Sequence, residues 1–244
     1  KEVRVPLLLS GDGIDDDTLG LALLKSGYQF VDAEGSIQAA IDAATPGDVI
    51  LVAPGTYVEN VIVNKTVEIW GSGQGSTIVM PALSAYNPSG CAGSLCAGSS
   101  NVFIVQANDV KIHDLTVDGD NPDLATGLDV GGANVDARNG IITNHSAGTF
   151  NNLEIYNVTV QNIYLRGIYP SSGGTFNIHH NTVTNVQGEA ASIAIFGWGG
   201  PGTIANNTVS YANDAISANW SKGISFLNNT VTHSSSGMHT DNAG

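Results

Sequence analysis

Arg166, Asp214, His239 and Asp241 combine a cation, an imidazole and two carboxylates in the last third of the chain. An imidazole near carboxylates passes protons, and a cation steadies the negative charge that proton removal creates. Tyr169, Trp198 and Trp220 lie close to them in sequence and offer amphipathic ring platforms for a sugar. These seven residues predict a carbohydrate groove with an acid–base set. The alternative is a scatter of unconnected surface residues on a long molecule.

A second candidate is the turn Asp118-Gly-Asp-Asn-Pro-Asp123. Asp118, Asp120 and Asp123 offer three carboxylates, and calcium takes about six to eight oxygens. Asp12-Gly-Ile-Asp-Asp-Asp17 has similar composition. Asp, Gly and Pro are also ordinary turn formers. Cys91 and Cys96 flank a short Gly- and Ser-containing segment. Two cysteines do not make a zinc site, which needs about four ligands. A disulfide between them, and hence an oxidising compartment, is expected, the alternative being two free thiols. Among the histidines only His179 and His180 are adjacent, and neighbours in a strand face opposite sides, so no transition-metal site is expected.

These residues must be positioned by a repeat. The segments Val110-Lys-Ile-His-Asp-Leu-Thr-Val117, Leu153-Glu-Ile-Tyr-Asn-Val-Thr-Val160, Phe176-Asn-Ile-His-His-Asn-Thr-Val183, Gly202-Thr-Ile-Ala-Asn-Asn-Thr-Val209 and Ile224-Ser-Phe-Leu-Asn-Asn-Thr-Val231 align without gaps. Their final Val residues are 43, 23, 26 and 22 positions apart, so the first interval holds either a degenerate coil or an insertion. A period near 23 built from short apolar alternations means a solenoid of strands, because no helical period persists within the repeat. A parallel β-helix of about eight coils follows. Positions one, three and eight point inward, and position five sits at a turn where Asn amides bond from coil to coil. A second inner column is expected at Ile168, Ile193, Ile216 and Met238, which places Tyr169, Ala194, Ser217 and His239 on one outward face.

Ahead of the repeat, Ser36 can cap a short helix over residues 37–44 that covers the open end of the core. The stretch from Ser36-Ile-Gln-Ala-Ala-Ile-Asp-Ala-Ala44 through Pro54-Gly-Thr-Tyr57 to Trp70-Gly-Ser-Gly73 resembles the amino-terminal cap and first coil of the pectin-lyase-like superfamily. The Asn-Thr-Val repeats resemble its β-helix repeat. The resemblance covers residues 33–244 and leaves 1–32 as an amino-terminal extension. It implies an all-β, right-handed, single-stranded parallel β-helix with a short capping helix. It implies no single activity, because that superfamily holds lyases, hydrolases, esterases, epimerases, tailspikes and non-catalytic surface proteins. The family's hydrolase pattern of Asn-Thr-Asp, an Asp-Asp pair and Gly-His-Gly is missing from the coils, as is the methylesterase motif. A lyase would need a base from the few cations there, Lys65, Lys111, Arg138, Arg166 and Lys222.

Eight Lys and Arg against 22 Asp and Glu give a net charge of −14, which argues against nucleic acid and anionic membranes as partners. No apolar run is long enough to span a bilayer, so no membrane insertion is expected. The expected protein is extracellular, on the cell surface or periplasmic. It binds a polysaccharide or surface glycan without catalysis, and calcium is a possible cofactor. The first alternative is a polysaccharide lyase acting on acidic glycans. The second is an ice-binding protein, on the strength of Thr182-Val-Thr184, Thr208-Val-Ser210 and Thr230-Val-Thr232. Thr159-Val-Gln161 and Thr116-Val-Asp118 interrupt those ranks. Lys1 reads as a processed start. The uncapped final coil reads as a truncation, with self-association or further domains there.

Overall fold

The computed structural model describes residues 27–88, 91–171 and 173–242. The Asp12–Asp17 candidate lies outside the described residues. The chain winds as a parallel β-solenoid. Sheet A carries an eight-strand path: Tyr28–Val31, Val49–Val52, Glu68–Trp70, Lys111–Asp118, Leu153–Ile163, Phe176–His179, Gly202–Ala205 and Ile224–Leu227. Sheet B stacks seven strands: Val61–Val63, Asn101–Val105, Asn139–Thr143, Arg166–Tyr169, Ile193–Trp198, Asp214–Asn219 and Met238–Asp241. Tyr28–Val31 pairs with Val49–Val52, so the solenoid begins a strand ahead of residue 33.

The Val column forms as the repeat requires. Val79, Val117, Val160, Val183, Val209 and Val231 are consecutive partners in register. Val117 pairs directly with Val160, so the 43-residue interval is one coil. Its extra length is looped out, partly as the antiparallel hairpin of Leu128–Val130 and Ala133–Val135. Ile112, Ile155, Ile178 and Ile204 form the neighbouring inner stack and are fully buried.

Two columns differ from the expectation. Position five sits at the turn as expected, but among the described residues its coil-to-coil amide bond runs from Asn157 Nδ2 to Asp114 Oδ1 at 3.4 Å. Asp114, Asn157, His180, Asn206 and Asn228 are the residues that turn the chain, with φ between 51° and 57°, and Asn157, His180, Asn206 and Asn228 are exposed. Asn tolerates this left-handed conformation better than most residues. An amide ladder forms one position later: Asn181 Nδ2 donates to Asn207 Oδ1 at 3.0 Å, and Asn207 Nδ2 to Asn229 Oδ1 at 2.9 Å. The same amides bond the peptide groups of the preceding coil, which the turn leaves unpaired. The second inner column is Phe103, Ile141, Ile168, Ile195, Ile216 and Met238, with Ile195 in the place expected for Ile193. Ile193 instead lies between Arg166 and Asp214, and Ala194 is buried. Residues 187–191 lengthen the preceding turn, and two Ile residues two apart look identical to a period-two pattern.

The helix α1, Ile37–Ala43, buries Ile37 and Ile41 against the first coil. Ser36 Oγ accepts from Ala39 N at 3.1 Å. Glu59 reaches from the next strand pair to accept from Ile37 N at 2.8 Å and Gln38 N at 3.0 Å. Lys65 Nζ donates to the carbonyls of Asp42 and Ala44 at the other end. Side chains of the solenoid thereby take up helix-end backbone groups at both ends.

Candidate functional site

The outward side of sheet B brings five of the seven predicted site residues together. Phe196, Ser217 and His239 are consecutive partners, and so are Trp198, Asn219 and Asp241. His239 Nδ1 lies 3.4 Å from Asp214 Oδ1, and its Nε2 lies 3.1 Å from Asp241 Oδ2. Ser217 Oγ is 3.3 Å from the same Nε2. An imidazole held between two carboxylates is oriented for proton transfer. Ser217 is only 1% exposed, so its hydroxyl orients the ring rather than attacking a ligand. Asp214 also accepts from Ser236 Oγ at 2.5 Å.

Trp198 is 37% exposed and stands edge-on to Phe196, with centroids 5.8 Å apart. Trp220 is 58% exposed, and its backbone N donates to the Asp241 carbonyl at 3.2 Å. Trp198 thus lies two strands from Asp241 in register, Trp220 follows Asn219 on the strand between, and both side chains are exposed.

Tyr169 and Arg166 do not join this group. Tyr169 is 6% exposed, stacked on Phe196 at 4.7 Å and packed in an apolar patch with Ile142 and Leu95. Burial pushes its phenol up to about 12. The Arg166 guanidinium lies 5.0 Å over the Phe196 ring and donates to Ser94 Oγ and the Ala191 carbonyl. Burial lowers it to about 10. Arg166 and Asp214 are two strands apart, with Ile193 between them.

The cover over Tyr169 is the loop that carries the cysteines. Cys91 and Cys96 are disulfide-bonded, as expected. Arg138, almost fully buried, fastens the loop by donating to the carbonyls of Tyr86 at 3.0 Å and Gly93 at 2.7 Å. The sequence marks Arg138 only as one of a few cations. Its role depends on a loop about 45 residues away in sequence.

The Asp118–Asp123 turn is differently engaged. Asp118 accepts from Gln161 Nε2 at 2.7 Å and Asn162 Nδ2 at 2.8 Å, tying two coils together. Asp120 accepts from Asn134 N at 3.2 Å, and Asp123 is exposed. Among the described residues no three His, Cys, Asp or Glu side chains group as a metal site.

Sheet A carries an outward column that the sequence reading missed. Trp70, His113, Tyr156 and His179 stack on successive coils, with His113–Tyr156 centroids at 4.4 Å and Tyr156–His179 at 5.2 Å. His113 is bonded at 3.2 Å to Glu68 and 2.7 Å to Asp114. The available signal was position four of the repeat, which reads His113, Tyr156 and His179 in three consecutive aligned segments. His179 and His180 also contradict the expectation for strand neighbours. The φ of 57° at His180 folds the chain back, so their Nδ1 atoms lie 2.9 Å apart. On the adjoining face Thr159, Thr182, Thr208 and Thr230 are in register, and Thr184 Oγ1 bonds Ser210 Oγ at 2.9 Å.

No protein-family model matches the chain, and no curated protein matches it in sequence. Solved structures do. A pectin methylesterase in complex with a hexasaccharide matches at 16% identity and a TM-score of 0.56, over 81% of this chain and 66% of that one, just short of two thirds. The A-module of a mannuronan C-5 epimerase from Azotobacter vinelandii matches at 15% identity and a TM-score of 0.38, over 81% of this chain and 72% of that one. The chain is therefore a right-handed parallel β-helix of the pectin-lyase-like fold. Among the described residues no helix is long and apolar enough to cross a membrane.

Proposed function

We propose that the protein is an extracellular glycan-binding β-helix whose contact surface is the sheet B strip around Trp198, Trp220, Asn219, His239 and Asp241. The observation that carries this reading is the exposure of two indoles on the strands next to a hydrogen-bonded imidazole and carboxylate. Ring faces stack on sugars, and fixed polar groups select among hydroxyls. The Cys91–Cys96 bond fits an oxidising compartment. The pectin methylesterase of like fold is seen with a hexasaccharide, which is consistent with a glycan ligand. Asp214 and Asp241, on a chain of net charge −14, favour a neutral glycan over a polyuronate.

Isothermal titration against neutral and acidic oligosaccharides tests the reading. Binding to a neutral glycan that Trp220→Ala weakens is the expected result, and no binding across the panel would sink it. A second reading, a polysaccharide lyase, rests on His239 held by Asp214 and Asp241, and it loses Arg166, whose guanidinium is engaged by Phe196, Ser94 and Ala191. Unsaturated products from a polyuronate, seen by their absorbance, would establish that reading instead.

A further inference from the structure

The hairpin insertion after Asp118 contains a charge with nothing to balance it. Asp136 is fully buried. Its Oδ2 accepts from Asn121 N at 3.0 Å, while its Oδ1 has no hydrogen-bond partner. A buried carboxylate normally accepts several bonds or sits beside a cation, because it has given up its hydration. Among the described residues no Lys or Arg forms an ion pair with Asp118, Asp120, Asp129 or Asp136. An orphaned buried oxygen of this kind marks an ion or water that belongs there.

Oxygens of the hairpin lie close by, among them Asn134 Oδ1, which accepts from Gly127 N at 3.0 Å. A Cβ placed on Gly127 would lie 2.6 Å from Asn134 Oδ1, 2.7 Å from Val135 O and 2.8 Å from Asp136 Oδ1, so these three oxygens converge beside one small residue. Asp120 is bridged to Val135 across the base of the hairpin. Its Oδ2 accepts from Asn134 N at 3.2 Å, which holds the carboxylate next to the hairpin strand that carries Asn134 and Val135. Oxygen ligands of mixed kind, two of them carboxylates, suit a hard divalent cation of calcium's size.

We propose that Asp120 and Asp136, with Asn134 Oδ1 and Val135 O, bind one calcium ion that fixes the hairpin to the solenoid. The site has two carboxylates, with the remaining protein oxygens from an amide and a peptide, so it is compatible with the lack of a three-acid cluster. It keeps Asp120 from the sequence candidates. It leaves out Asp118, whose oxygens are taken by Gln161 and Asn162, and the exposed Asp123.

Terbium luminescence tests the site on the whole chain, because Tyr86 and Tyr164 pack in the same apolar patch as Val135 and can sensitise a bound lanthanide. The expected result is saturable emission that calcium displaces, together with an unfolding midpoint that rises with calcium. Asp136→Asn should abolish both, Asp120→Asn should weaken calcium binding about tenfold or more, and Asp123→Asn should leave both unchanged. Should Asp136→Asn fail to fold, Asp120→Asn against Asp123→Asn decides. A wild-type chain whose emission and midpoint ignore calcium overturns the proposal, as does equal loss in the Asp120 and Asp123 variants.

Discussion

On sheet A the outward column stays aromatic across Trp70, His113, Tyr156 and His179, whereas on sheet B it changes from Ile142 and Tyr169 through Phe196 to Ser217 and His239. The lattice is the same in both, so the difference lies in what each ring meets. Along sheet A the rings of His113 and Tyr156 are covered by neighbours above and below, only the end ring Trp70 stays exposed among the large apolar rings, and Glu68, Asp114 and Glu154 take the imidazole nitrogens. Along sheet B the disulfide loop covers one end and leaves Trp198 and Trp220 open at the other. Aromatic content alone therefore does not identify a binding surface in a solenoid. A ring stacked in register contributes to cohesion, and a ring beyond the stack is available to a partner.

The comparison can be broken at several depths. Val183→Asp puts a carboxylate into the column shared by all coils, where Val183 is fully buried. It should cost about 4 kcal/mol or more and abolish the cooperative unfolding transition along with both faces. Asn207→Ala removes an amide that bonds Ile178 O, Asn181 and Asn229. It should lower stability by about 2–3 kcal/mol in denaturant titration, because buried peptide groups lose their partners.

Removing the disulfide separates the faces. Cys91→Ser with Cys96→Ser opens a loop of sequence separation 5 and should cost about 2 kcal/mol by the loop-entropy rule. Fluorescence quenching should then show Tyr169 more accessible, with Tyr156 unchanged. Wild type should release no free thiol under denaturing, non-reducing conditions. Trp198→Ala with Trp220→Ala should weaken glycan binding about tenfold while leaving the unfolding midpoint in place. Equal loss of binding from Tyr156→Ala with its fold intact would move the contact surface to sheet A.

The smallest effect belongs to sheet A. The His113 hydrogen bond holds the Glu68 carboxyl below its ordinary value of 4.5 in the folded chain. A carboxyl lowered by folding contributes stability that is complete above its ordinary value and is lost as pH falls through the folded one. Acid titration of the unfolding midpoint should therefore be shallower in Glu68→Gln than in wild type below about pH 4.5. Identical slopes would show that the ladder gains nothing from that bond.

Residue types at a fixed period determined the architecture. An apolar residue every 23 or so positions has one way to be buried on every coil, so the Val column, the capping helix and the inward positions were readable without coordinates. The proximity of Cys91 and Cys96 likewise made their pairing readable. The neighbourhood of His239, Asp214 and Asp241 follows from the same period, whereas Trp198, expected in a loop, ends the strand Ile193–Trp198. Which of Ile193 and Ile195 faces inward was not readable, since the length of a turn decides it and alternation cannot measure a turn. Nor was the burial of Tyr169 and Arg138, or the engagement of Arg166. That depends on where the loop before residue 100 comes to rest, and loop placement is settled by contacts between residues far apart in the chain. The unbalanced Asp136 carboxylate belongs to the same class, because its isolation arises only once the hairpin has folded over it.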